Sequence, residues 1–311
     1  MDIAYLLWLQ NFRNSIDNAL TPFMESVSLF AITYILLLPV FVYWCLNKKI
    51  GAYILFSLVI SWALNAVVKL TCCIYRPWIR DPRVIPAGDS IRTATGYSFP
   101  SGHTMMATPI YGGMAIYARK IKWLCGLFIL AILVTGFSRN YLGVHTPQDV
   151  VVGLILSVVS LYIASWLLGL MERKPEKENM ILLICFILGV AALVYIEKKP
   201  YPMDYVDGKL LVDPVRMTRD AWGNIGGFLA LIAAYYTEKR WVKFEAVGFN
   251  VKGVILCVIG LIGLCFILNG AAQRFFVGNF GDHWGRLANA TLMVFYIMVI
   301  WPIVLKLFAK K

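Results

Sequence analysis

Histidine is nearly absent from this chain, three residues in 311, and charge of either sign is scarce at 15%. With 60% apolar residues and a mean hydropathy of +0.71, that scarcity excludes a soluble domain of ordinary composition and a disordered chain alike. The seven cysteines (45, 72, 73, 125, 185, 257 and 265) include no C-x-x-C spacing, so neither a zinc cluster nor a disulfide framework is indicated. No basic stretch precedes the first short apolar run, and no cleaved signal peptide is expected.

What the chain has instead is long apolar runs. Stretches of about 17 to 22 residues recur, each long enough to cross a hydrocarbon core as a helix. They predict an all-α, polytopic transmembrane bundle of about nine helices, at 27–46, 50–70, 103–118, 121–138, 149–170, 180–196, 221–236, 251–268 and 287–307. Residues 1–26 mix Leu, Trp and Phe with Arg13 and Asp17 at helical spacing and read as an amphipathic segment lying in the interface. The rest divides into 27–170, where the polar motifs gather, and a C-terminal bundle of about four spans, 171–311.

The net charge of +12 does not point to a nucleic-acid partner, because it is partitioned by side of the bilayer. The face holding the N-terminus carries 14 Lys and Arg against 12 Asp and Glu; the other carries 15 against 5. The excess sits in short loops such as 47–49, 118–122 and 172–177, the pattern of a cytoplasmic side. The N-terminal side is therefore expected to face outward.

Three polar clusters fall on that outward side. Lys69 and Arg76 are seven residues apart, which a continuing helix would place on one face, with Pro77 ending it. Taken alone, a lysine at a span end ordinarily snorkels to the interface. "PSGH", 100–103, puts an N-cap serine and a glycine at a helix start, where free N–H groups suit an anion. "SRNYLGVHTPQD", 138–149, holds Arg139, His145 and, four residues on, Asp149, which can accept from one imidazole nitrogen and fix the tautomer. Asp149 equally suits the helix dipole as a first-turn acid. Two of the three histidines and three fixed cations thus converge outside the membrane, which asks for a multiply charged anion such as phosphate.

Lys69-x6-Arg76-Pro77, Pro100-Ser101-Gly102-His103 and Ser138-Arg139-x5-His145-x3-Asp149 resemble the three-part signature of the type 2 phosphatidic acid phosphatase (PAP2) family, complete and in order over about residues 50 to 165. The resemblance implies a membrane-embedded lipid phosphatase with its catalytic core in 27–170. It implies His145 as nucleophile through a phosphohistidine, Asp149 as its orienter, and His103 as general acid. Lys69, Arg76, Arg139, Ser101 and Gly102 would hold the phosphate, and neither a metal nor another cofactor is implied. The expected substrate is a lipid monophosphate or diphosphate met at the extracytoplasmic face: a polyprenyl diphosphate, phosphatidate or phosphatidylglycerol phosphate. A second reading keeps the site but passes the phosphoryl or headgroup to an acceptor other than water. A third, a transporter or scaffold, requires ionisable residues near mid-membrane, and here the charges sit at span ends.

The signature does not need residues 171–311. Their outward loops hold Arg216, Arg219, Arg274, His283 and Arg286, which could recognise a headgroup or cover the site, although loop charges are usually solvated. Gly223, Gly227, Gly260 and Gly263 suggest close helix packing; they fix no oligomeric state.

Overall fold

In the computed structural model, which describes residues 1–268 and 270–309, the chain is a helical bundle. Its helices are α1 (Asp2–Ser15), α2 (Thr21–Thr33), α3 (Leu37–Phe41), α4 (Lys48–Cys72), α5 (Pro77–Arg80), α6 (Gly102–Tyr117), α7 (Lys122–Tyr141), α8 (Pro147–Arg173), α9 (Glu178–Lys198), α10 (Pro214–Thr237), α11 (Val251–Leu268), α12 (Ala271–Phe280), α13 (Asp282–Phe295) and α14 (Trp301–Ala309). Among the described residues, six helices are long and apolar enough to cross a membrane, or seven if α2 and the α3 segment, bent by 44°, form one broken span. The expected count of nine is not reached by that measure. Two of the expected spans fall short: α6 has only 16 residues, and α10 carries Arg216, Arg219, Asp220 and Asn224 in its first half. Both pack among other helices, where a helix need not be as apolar as one facing lipid.

α4 is the central element. Of its most apolar window, 67% is buried, against 22–33% for the other spans, and α6, α8, α9 and α10 all pack on it. Pro109 lies inside α6 and has no N–H to give the carbonyl one turn back, which is that of Met105. Ser61 of α4 supplies the missing donor, its Oγ bonding Met105 O at 2.7 Å, with Ser157 Oγ of α8 at 3.3 Å. Gly153 of α8 lets that helix close on the start of α6: a Cβ there would stand 3.2 Å from Ser101 O and 3.4 Å from Met105 Cγ.

Polar locks join the two halves on the face opposite the motifs. Lys48 Nζ donates to Glu238 Oε1 at 2.8 Å and Phe244 O at 2.5 Å, and Trp44 Nε1 to Ile297 O at 2.7 Å. Gly260 and Gly263 admit Trp301 and Tyr296, as the small-residue pattern anticipates; Gly223 and Gly227 admit no helix, and Gly226 meets Leu287 instead. A short hairpin, Tyr205–Val206 with Lys209–Leu210, turns at Asp207-Gly208, both at positive φ (50° and 72°), as a type I′ turn requires.

Candidate active site

The three motif segments meet where α4 ends and α6 and α8 begin. α4 stops at Cys72, and Cys73 takes a left-handed conformation (φ 49°) as its C-cap. The chain then reverses, so Lys69 and Arg76 do not share a helical face as their spacing predicts. Arg76 instead precedes α5 in an extended conformation (φ −63°, ψ 151°), the region Pro77 imposes on its neighbour. From there its buried guanidinium reaches four acceptors: Nε to Gly96 O at 3.0 Å, Nη2 to Thr95 O at 2.9 Å, and Nη1 to Val144 O at 3.0 Å and His145 Nε2 at 2.8 Å. Lys69 Nζ donates to the carbonyls of Tyr97 (3.2 Å), Ser98 (3.4 Å) and Pro100 (2.8 Å), drawing the 97–100 loop over the end of α4.

His145 is buried in the turn between α7 and α8. A guanidinium can only donate, so the bond from Arg76 makes Nε2 the acceptor and leaves the ring proton on Nδ1. That proton faces Asp149 Oδ2 at 3.3 Å. The carboxylate accepts two further bonds, from Thr146 N–H at 2.8 Å and Ser98 Oγ at 2.5 Å, and the Asp149 backbone N–H completes a capping box by donating to Thr146 Oγ1. Burial, and next Arg76, hold the imidazole well below the ordinary histidine value, so at neutral pH Nε2 carries a lone pair.

His103 enters from the second position of α6, and its Nε2 is buried without a partner. Arg139, fully buried in the last turn of α7, donates through Nη1 to Ser28 Oγ, while its Nε and Nη2 have no acceptor. Uncompensated buried donors are costly, and these are suited to oxyanion oxygens. Ser101 caps α6, its Oγ accepting from Thr104 N–H (3.4 Å) and Thr104 Oγ1 (3.0 Å) while its N–H goes to Asp149 O at 2.9 Å; it can offer a ligand its hydroxyl proton and no backbone donor. Gly102 N–H begins the helix and has no intrahelical acceptor.

The structure brings in three residues that the motif reading passes over. Ser98 Oγ bonds Asp149, Asn140 Nδ2 bonds His145 O at 2.9 Å, and Asn65 Nδ2 bonds Pro100 O at 3.3 Å. Asn65 was discoverable, as a buried amide one turn before Lys69 in an apolar run; Ser98 and Asn140 carry no signal that separates them from loop polarity.

Such a bundle gathers two histidines, three cations and a capped helix start at one end, a set suited to an oxyanion. Residues 50–173 match the PAP2 superfamily. Relatives are similar over parts of their length. Undecaprenyl-diphosphatase of Sulfolobus acidocaldarius is 33% identical over 110 residues, 35% of this chain and 51% of that protein. Phosphatidylglycerophosphatase B of Escherichia coli K12 is 38% identical over 79 residues, 24% and 30% respectively. A probable sphingosine-1-phosphate phosphatase of Dictyostelium discoideum is 25% identical over 200 residues, 60% and 46%. The chain spans about half the length, or less, of these curated relatives. No solved structure matches it.

Proposed function

We propose that this protein is a lipid phosphatase acting at the extracytoplasmic face on the phosphomonoester or diphosphate of a membrane lipid, through a phosphohistidine and without a metal ion. The observation that carries the reading is the orientation of His145, with Nδ1–H toward Asp149 and the Nε2 lone pair covered by a guanidinium. An arriving phosphoryl group takes the place at Nε2, and the Arg76 donor transfers to one of its oxygens.

The Nε2 lone pair then attacks phosphorus in line, and the P–O bond to the lipid breaks. His103 gives that departing oxygen a proton, and Asp149 stabilises the imidazolium that forms. Arg76, Arg139 and Lys69 stabilise charge on the equatorial oxygens, with Gly102 N–H at the helix start. In the second half of the cycle His103, now neutral, takes a proton from water as it attacks phosphorus, releasing phosphate and restoring His145. The printed names of the relatives, which act on undecaprenyl diphosphate and phosphatidylglycerophosphate, support a lipid phosphate as substrate.

The test is a rapid acid and alkali quench after mixing with phosphorus-labelled lipid diphosphate and monophosphate. An alkali-stable, acid-labile label on the wild type, absent from His145→Ala and unaffected by EDTA, is expected. An acid-stable label, or turnover that EDTA abolishes, refutes the mechanism.

A further inference from the structure

A second group of cations lies in the C-terminal half, apart from the two histidines. Arg216 and Arg219 from the start of α10 and Arg286 from α13 line a cavity of about 340 Å³ closed by α4 and α12. Within and beside it stand two carboxylates, Asp220 and Asp282, so the charges do not cancel. The pairing is loose. Arg286 Nη2 lies 3.2 Å from Asp220 Oδ1 and its Nη1 donates to Gln273 Oε1 at 3.0 Å, whereas Arg219 approaches Asp220 and Asp282 only to 3.7 Å, beyond hydrogen-bond reach. Nε of Arg219, Nε of Arg286 and the acceptors Asp220 Oδ1 and Asn289 Oδ1 are all buried without a hydrogen-bond partner.

The rest of the wall is shaped for an occupant. Gly223 and Gly227, one turn apart on α10, face space: a Cβ on Gly227 would meet nothing within 4 Å, and one on Gly223 only Arg286 Cβ at 3.8 Å. Val59, Trp62, Met293 and Val294 line the remainder. One part of the cavity therefore offers cations with idle donors, another offers apolar surface, and between them α10 presents two glycines beside Asp220 and Asn224. An amphiphile with an anionic head fits that combination.

We propose that this cavity is a second binding site, for a phosphate group, with Arg219 and Arg286 as its principal donors and Asn289 as acceptor for a neighbouring hydroxyl. The inference does not rest on the reaction assigned to the histidines. Phosphate chemistry can arrive on a phospholipid headgroup or as the free ion, and the two are separable. In full-length protein carrying His145→Ala, binding of dioctanoyl phosphatidylglycerol, inorganic phosphate and dioctanoyl phosphatidylcholine would be measured by calorimetry in a neutral detergent.

Saturable binding of phosphatidylglycerol alone identifies a lipid headgroup site, and equally tight binding of inorganic phosphate identifies a free-ion site; both support the proposal. Arg219→Gln and Arg286→Gln should each weaken binding about tenfold, and Arg139→Gln should leave it intact. Gly227→Leu fills the space while keeping every charge and should abolish lipid binding, which guards against misfolding of the arginine variants. The proposal is overturned by no binding of either phosphate probe, by phosphatidylcholine binding as tightly as phosphatidylglycerol, by loss in Arg139→Gln with retention in the other two arginine variants, or by phosphatidylglycerol keeping full affinity in Gly227→Leu.

Discussion

The two cation clusters differ in how completely they are tied down. Arg76 and Arg139 are 4% and 0% exposed, and Arg76 spends its donors on four fixed acceptors; the side chains of Arg219 and Arg286 remain 23% and 25% exposed and share carboxylates at longer range. A group that must stabilise a fleeting distribution of charge gains from being oriented beforehand, because reorganisation would otherwise add to the barrier. A group that only holds an anion loses little by being mobile. The buried cluster also has Asp149 built into it, reserved for an imidazole, whereas the carboxylates of the outer cluster face the arginines directly.

The largest expected effect, and the one that would break this contrast, is His145→Ala. Phosphate release should fall by about 10⁴-fold or more, with the melting temperature near that of wild type; undiminished turnover removes His145 as nucleophile. Arg139→Lys comes next. It keeps the charge but loses the two idle guanidinium donors, and kcat/KM should drop about 10²-fold, a loss that a single ammonium restoring full activity would contradict. Asp149→Asn should cost a similar factor through the tautomer. Ser98→Ala, which removes only one of the contacts on that carboxylate, should cost about tenfold.

A pH profile sharpens the same comparison. His145 is held below the ordinary range, so the neutral form persists as pH falls through about 6.5, where a free imidazole protonates. The acid limb of kcat/KM, corrected for ionisation of the substrate, should lie well under that value; a limb at 6.5 or above contradicts the desolvated imidazole. The sign for stability follows: below about 6.5 the unfolded chain takes up a proton at this position that the folded chain refuses, so acid weakens the fold.

Much of the buried cluster was legible in the sequence because phosphate chemistry restricts residue type. His103, His145, Asp149 and the three cations are the residues an in-line displacement at phosphorus would need under the proposed mechanism, and the structure brings them to one end of the bundle. Their positions were less so. Lys69 and Arg76 sit at a helical interval, yet Cys73 breaks the helix in a left-handed conformation that ordinarily favours glycine or asparagine, and nothing local announces it. The count of nine spans is not confirmed: α6 and α10 fall below the length or hydropathy of a lipid-facing span, but both are enclosed by neighbours, and hydropathy measures exposure to lipid rather than membership of a bundle. Ser98 and Asn140 are ordinary polar residues until the fold sets them beside His145. The outer arginines were visible as charges in loops, but only tertiary structure brings α10 and α13 together around one cavity.

The hydroxyl of Ser61 has a mechanical consequence. The carbonyl it serves, freed by Pro109, is buried between α4, α6 and α8, where losing its donor is costly. Sliding α6 along α4 by even one turn would strand that oxygen in hydrocarbon, so the height of His103 relative to Lys69 is indexed like a key against a single notch. Ser61→Ala would file the notch away at a modest loss in stability, about 1–3 kcal/mol, and leave the depth of His103 to packing alone.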